Sequence, residues 1–242
     1  MATRQVLLLS NSKLHGQDFF EWCSDFFPSF LSKNNVKKLL FIPYAVRDHD
    51  DYLNKVEGPF MKLGFQVESI HNKPDPGLAI SECDGIFVGG GNTFLLLKTL
   101  YEKDLIEPIR TAVFKKGIPY IGSSAGTNVA TRSISTTNDM PICFPPTLEA
   151  LKLVPFNINP HYIEADPNSK HMGETREDRI KEYLNEPGSA PVLGLKEGSA
   201  LLVENDKATL MGHQAAKLFQ KNKDPVEFNS GDDLSFLLLH DF

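Results

Sequence analysis

Through the first half of the chain, short apolar runs alternate with longer amphipathic stretches. QVLLLS (residues 5–10), KKLLFIPY (37–44), FQVESI (65–70), GIFVGG (85–90) and IPYIGSS (118–124) are rich in Val, Ile, Leu and Phe, which predicts buried strands. Between them DFFEWCSDFFPSFL (18–31), DYLNKVEGPFMKLG (51–64) and NTFLLLKTLYEKDLIEPIRTAVFKKG (92–117) carry apolar residues three and four apart, the spacing of one helix face. Strands alternating with helices imply a parallel sheet covered by helices on both faces.

The rhythm changes after Thr131. Pro and Asn crowd the stretch TTNDMPICFPPTLEALKLVPFNINPHY (136–162), which predicts loops, and a charged helix follows in GETREDRIKEYLN (173–185), opened by Gly173 and closed near Pro187. From Pro191 the chain reads as short strands, PVLGLKEGSALLVEN (191–205), DKATLMG (206–212), AAKLFQK (215–221) and LSFLLL (234–239), with ENDK and NSGDD as turns. These should add antiparallel strands to the sheet. With no repeat or linker in its 242 residues, the chain reads as one domain over 1–242.

Composition narrows the function classes. Hydrophobic residues make up 41% and charged residues 23%, the balance of a folded soluble protein. With 25 Lys plus Arg against 31 Asp plus Glu and no basic run, the net charge of −6 argues against nucleic acid or a membrane surface as partner. Three scattered cysteines, Cys23, Cys83 and Cys143, fit neither a disulfide framework nor a zinc pattern and point to a reducing compartment. The four-residue apolar run near the N-terminus is too short for a signal-peptide core or a membrane span, so a cytoplasmic protein is expected.

The sharpest chemical signal is YIGSSAGTN, in which Gly122, Ser124 and Gly126 form G-x-S-x-G between a predicted strand and the helix TNVAT. Such an elbow lifts a serine above the sheet edge, and the glycines remove side chains that would clash in the turn. Ser124 is the candidate nucleophile, and the Ala125 N–H at the helix start is a candidate oxyanion donor. The plainer alternative is a Gly-Ser turn that only starts a helix.

FVGGGNTF is a second strand followed by glycines. Phe94 stands where G-x-G-x-x-G needs its last glycine, and no Lys-Ser or Lys-Thr completes a P-loop, so nucleotide binding is weakly supported. Neighbouring strand ends of a parallel sheet share one crevice, so Gly90 or Gly91 can supply a second oxyanion amide. Asn92 is a candidate for substrate contact, and it or Thr93 can equally cap the next helix.

A serine hydroxyl needs a base, and the seven histidines are His15, His49, His71, His161, His171, His213 and His240. Most read as ordinary surface residues. His161 stands apart because it follows LVPFNIN and Pro160, at the end of a predicted strand, where catalytic groups of α/β folds project. No metal-ligand spacing accompanies any of them. An orienting carboxylate could come from Asp139 in TTNDMP or Glu197 in LKEGS, and spacing does not choose between them.

Taken in order, LLLSNS, FIPYA, VGGGNTF, IGSSAG, TTNDMP, INPH, GETRE and LKEGS resemble the S51 family of serine peptidases, the peptidase E or aspartyl dipeptidase family, over about residues 5–200. The resemblance implies a three-layer αβα fold, mostly parallel and akin to class I glutamine amidotransferases, and hydrolysis of dipeptides beginning with aspartate. It places the nucleophile on Ser124 and the base on His161. It leaves the third catalytic member on either Asp139 or Glu197; Glu197 is favoured because a carboxylate at another strand end can approach the base from the crevice floor, and Asp139 then belongs to the substrate site. Ser123 departs from the bulkier aromatic residue that some relatives carry there, which bears on pocket shape more than on chemistry.

The order Ser, His, Glu differs from that of α/β-hydrolases and disfavours an esterase of that type. The reading that remains from another class is an amidotransferase-like binder of small anions, with Gly90 to Asn92 holding the anion. As a peptidase the chain needs no metal or organic cofactor, takes a small Asp-Xaa peptide as its partner, and works as a monomer or weak homo-oligomer. For the aspartate side chain Arg176 in GETRE is the candidate, because the resemblance sets that segment beside the active site and a guanidinium grips a carboxylate with two hydrogen bonds. Its competing role is a solvated surface pair on a charged helix.

Overall fold

The computed structural model describes residues 4–166, 168, 170 and 172–239. Strands β1 (Gln5–Leu9), β2 (Lys38–Ile42), β3 (Gln66–Ser69), β4 (Gly85–Val88) and β5 (Tyr120–Ser123) run parallel in the order β3-β2-β4-β5-β1. Beyond β1 the sheet gains two antiparallel strands, β8 (Ser199–Glu204) and β9 (Lys207–Gly212). The other strands depart from expectation. β6 (Asn157–Pro160), β7 (Val192–Leu195), β10 (Ala216–Phe219) and β11 (Val226–Phe228) form a separate sheet in the order β11-β10-β7-β6, with β6 and β7 parallel.

The helices are α1 (Phe27–Lys33), α2 (His49–Lys62), α3 (Pro76–Glu82), α4 (Thr93–Glu102), α5 (Ile106–Lys116), α6 (Ala125–Ala130) and α7 (Arg176–Asn185). Strand alternation sorts the main sheet into two faces. Leu7, Leu9, Leu39, Phe41, Phe87 and Ile121 face α1 and α2, where Phe20, Phe27 and Phe60 pack with ring centroids 4.8–5.8 Å apart. Val6, Leu8, Leu40, Ile42, Ile86, Val88 and Tyr120 face α3 to α6. The second sheet continues that core through Ile158, Leu193, Leu195 and Leu218. Its other face, with Val192 and Phe219, is covered by Ile180 and Leu184 of α7. Both of its faces are apolar, so each needs a cover, and the second sheet finds one in the main core and the other in α7.

Three element boundaries were shifted by local chemistry. The helix expected over 18–31 is a 3-10 turn at Glu21–Cys23 followed by α1, because Pro28 has no N–H to donate and fits only the first turn of a helix. The stretch 92–117 breaks in two at Asp104, whose φ is 53°. There the Leu105 N–H bonds the Leu100 carbonyl and the Asp104 N–H bonds the Tyr101 carbonyl, a helix-ending pair that closes α4 before α5 starts. LSFLLL is a 3-10 helix (Ser235–Leu239) instead of a strand, started by Asp233, which accepts from the Ser235 N–H at 2.8 Å. No helix among the described residues is long and apolar enough to cross a membrane.

Glycines differ sharply in what they permit. A Cβ on Gly126 would lie 2.1 Å from the Val88 carbonyl oxygen, whereas one on Gly58, exposed within α2, would meet nothing within 4 Å. Gly126→Ala should therefore lose about 3 kcal/mol or more, at or above the top of the usual overpacking range. Gly58→Ala should gain about 0.5–1 kcal/mol from the lower backbone entropy of its unfolded chain. Urea denaturation midpoints of the two variants should move in opposite directions, and movement the same way would contradict this packing.

Candidate active site

Ser124 occupies the turn between β5 and α6 with φ 54° and ψ −109°, a conformation rare for a residue with a Cβ. The backbone around it leaves no room for side chains: a Cβ on Gly122 would be 2.5 Å from the Gly126 carbonyl oxygen. The Thr127 hydroxyl shares its one proton between the Leu9 carbonyl (2.7 Å) and the Gly122 carbonyl (2.9 Å), and the Tyr120 hydroxyl donates to the Gly126 carbonyl (2.6 Å). These buried bonds hold the turn closed and aim Ser124 out of the sheet. Ser123 points the other way, fully buried with its hydroxyl 2.6 Å from that of Ser12.

His161 follows β6 and also has a positive φ, 54°. Its backbone N–H donates to the Ser10 hydroxyl (2.9 Å), which itself donates to the Leu195 carbonyl of β7 (2.9 Å). The next residue, Tyr162, lays its ring against Gly194, where a Cβ would stand 2.7 Å from the ring. Glu197 lies in the turn between β7 and β8. That turn is pinned where the Gly198 N–H donates to the Asn11 side-chain oxygen at 2.9 Å and the Gly198 carbonyl accepts from the His213 N–H, also at 2.9 Å. Ser10 and Asn11, at the end of β1, thus brace the segments carrying both residues.

The result is a linear chain of side chains. Ser124 Oγ lies 2.8 Å from His161 Nε2, and His161 Nδ1 lies 2.7 Å from Glu197 Oε1. A carboxylate only accepts, so Nδ1 carries the proton and Nε2 offers its lone pair to the Ser124 hydroxyl. His161 and Glu197 are 39% and 49% exposed, open to a small molecule from solvent. Their hydrogen bond is too solvated to count for much stability.

The amides sort themselves. A Cβ on Gly90 would come within 3.1 Å of Ser124 Cβ, so this glycine lies against the serine. The Tyr52 ring lies against the neighbouring Gly89, and burial pushes its hydroxyl up to about 12, so it stays protonated. The Gly91 and Ala125 N–H groups have no protein acceptor among the described residues and remain available. Gly91 reaches its position at φ +134°, where a Cβ would strike the Ala45 carbonyl at 2.5 Å.

Asn92 caps α4, accepting from the Leu95 N–H at 3.0 Å and donating to the Met140 carbonyl at 2.9 Å. Asp139 makes no bond to His161. It accepts from the Thr93 N–H (2.7 Å) and hydroxyl (2.5 Å), which sets its charge on the positive end of α4. Arg176 opens α7 behind the Thr175 cap, a position where the helix dipole disfavours a cation. Burial and Arg179 lower its pKa while the Asp139 charge raises it. Its helix neighbours pair off, Arg179 with Glu174 and Lys181 with Glu177, but among the described residues Arg176 forms no ion pair. It lines a cavity of about 380 Å³ instead.

Of the other histidines, His15 and His213 are exposed, as expected. His49 and His71 are half-buried with ring centroids 5.3 Å apart, which departs from the surface reading. His171 and His240 lie outside the described residues. Among the described residues no three His, Cys, Asp or Glu side chains converge as metal ligands. Sequence reasoning did not single out Ser10, Asn11 or Tyr52, and it offered Thr93 only as a helix cap. The available signal for the first two was a polar pair directly at the end of an apolar strand, in the crevice position of an α/β sheet.

This layered architecture is the class I glutamine amidotransferase-like α/β fold. A putative peptidase E of Listeria monocytogenes shares it with a TM-score of 0.68 at 24% identity, covering 88% of this chain and all of that one. A peptidase from an acI-B1 actinobacterium does so with a TM-score of 0.73 at 17% identity, covering 97% and 98%. The chain belongs to peptidase family S51, whose model matches residues 6–211. It is 51% identical to a probable alpha-aspartyl dipeptidase of Drosophila melanogaster over 98% of each chain. It is 49% identical to peptidase E of Streptomyces coelicolor over 96% of this chain and 94% of that one.

The strain at Ser124 has a measurable consequence. Ser124→Gly should be more stable than Ser124→Ala by about 1–3 kcal/mol, the usual cost of a side chain held in a sparsely populated backbone region. Equal unfolding free energies for the two would mean that the turn stores no strain.

Proposed function

We propose that the protein is a serine dipeptidase that hydrolyses dipeptides with a free N-terminal aspartate. The observation that carries this reading is the 2.8 and 2.7 Å chain from Ser124 through His161 to Glu197, beside two unpaired amides. The name of the Drosophila relative, a probable alpha-aspartyl dipeptidase, supports the substrate class. In this mechanism Ser124 Oγ attacks the carbonyl carbon of the peptide bond while His161 Nε2 takes its proton. The Gly91 and Ala125 N–H groups meet the oxyanion. The C–N bond then breaks, His161 returns the proton to the leaving amine, and aspartyl-Ser124 remains. Water, deprotonated by His161, attacks the ester and releases aspartate. Glu197 holds the imidazole tautomer and stabilises the imidazolium.

A compact picture accompanies this reading: one domain, acting in the cytoplasm on small peptides without nucleic acid or membrane, as a monomer or weak homo-oligomer. Turnover of Asp-Leu against Glu-Leu, Asn-Leu and N-blocked Asp-Leu tests the substrate class. A serine-reactive phosphonate should label wild type at Ser124. Absence of both labelling and turnover would favour a small-anion binder.

Glu197 and Asp139 have separable roles in this mechanism. Glu197→Gln should lower kcat with little change in KM, because an orienter acts on the transition state. Asp139→Asn should chiefly raise KM, because a carboxylate near the site mouth is suited to the free α-ammonium of the substrate. Saturation kinetics with the opposite pattern would exchange the assignments.

Arg176 supplies the cation that offsets desolvation of the aspartate side chain. Arg176→Ala should cost about 2–5 kcal/mol of transition-state stabilisation for Asp-Leu, the scale of a charge left without its partner. Arg176→Lys should recover only part, since an ammonium lacks the planar fork. Near wild-type kcat/KM with unchanged preference over Asn-Leu would return Arg176 to the surface.

A further inference from the structure

Three site residues have a chain neighbour in one ionic cluster. Tyr162 follows His161, Lys196 precedes Glu197 and Glu177 follows Arg176. Glu164 joins them. Its Oε1 lies 3.3 Å from Lys196 Nζ, while its Oε2 lies 3.1 Å from Lys217 Nζ and accepts from the Tyr162 hydroxyl at 3.2 Å. Lys217 passes the connection to Glu177 of α7 at 3.3 Å, and Lys196 also meets Glu227 at 3.0 Å. Among the described residues Glu164 is the one carboxylate that both lysines share.

We infer that Glu164 is a positioning residue: it ties the end of β6, the turn after β7 and the start of α7 together, and so sets Arg176 in register with the Ser124, His161 and Glu197 chain. The inference rests on the dipeptidase reading above. Each of the three segments hangs from a different element, and no hydrogen bond or ion pair among the described residues joins Arg176 directly to His161 or Glu197. The two lysine side chains are only 21% exposed, so their ammonium groups need fixed carboxylate partners. Burial alone would lower the pKa of both lysines, yet the hydrogen bonds they donate, Lys196 to Glu227 and Glu164 and Lys217 to Glu164 and Glu177, leave each raised. Glu164 itself, drawn upward by burial, is held lower by Lys217 and Lys196.

Single exposed ion pairs contribute little to stability, but a shared network fixes geometry. Small misplacements of binding groups can cost up to about a hundredfold in rate. Glu164→Gln keeps the shape and removes the charge that both lysines use.

The test is steady-state kinetics on Asp-Leu and Asn-Leu, with thermal denaturation alongside. Glu164→Gln should lower kcat/KM for Asp-Leu on the order of tenfold, through both kcat and KM. Glu164→Asp, which retains the charge, should recover part. Lys217→Met cuts only the branch to α7, so it should raise KM and reduce the preference for Asp-Leu over Asn-Leu while kcat stays near wild type. If Glu164→Gln does not fold, Lys217→Met decides alone. Variants with wild-type kcat, KM and preference, whatever their melting temperature, would overturn the inference. Failure of wild type to hydrolyse Asp-Leu would instead overturn the dipeptidase reading, so the two failures are distinguishable.

Discussion

The contact on which this structure most depends is between backbones. Gly126 rests on the Val88 carbonyl so closely that not even a methyl group fits between them. Because no side chain separates the β5 to α6 turn from β4, the segment leaving β4 lies against Ser124, with Gly90 touching it. Among the described residues the Gly91 and Ala125 amides, from two different strand ends, are left unpaired. The cost of packing this close is the strained turn at Ser124.

The second requirement is to bring a histidine on another sheet to that serine. The end of β1 does this with two small polar side chains. The Ser10 hydroxyl is used as both donor and acceptor, between the His161 N–H and the Leu195 carbonyl, and Asn11 fixes the turn that holds Glu197. Buried polar groups with all partners satisfied are rigid, because breaking any one bond strands its mates in a low-dielectric interior. The geometry of the His161 and Glu197 pair therefore comes from the backbone beneath it. Their mutual attraction, half in water, adds little.

Charge is distributed by distance from this frame. Near the serine the structure relies on amides and helix ends: Asp139 sits on the start of α4, and the first amide of α6 faces the site. Farther out, where α7 covers the second sheet, formal charges take over, with lysines and glutamates cross-linking surface segments. Arg176 lies between the two regions, a cation at a helix start with no ion pair among the described residues, in electrostatic reach of Asp139.

Much of this was legible in the sequence where the physics is local. Five parallel strands follow from apolar runs of strand length, and the elbow from glycines two residues either side of Ser124 in G-x-S-x-G. His161 stood out as the histidine at a strand end. The choice between Asp139 and Glu197 beside the imidazole was made only in three dimensions, because both are acidic residues in loops and nothing in their spacing says which loop folds over the histidine. The second sheet was equally invisible: β7 and β10 have strand patterns that would suit either sheet, and β7 finds its neighbours in β6, across a long loop and α7, and in β10, across β8 and β9. A sequence determines propensity and periodicity residue by residue, but which groups meet is decided by long-range packing that closes loops from many parts of the chain at once.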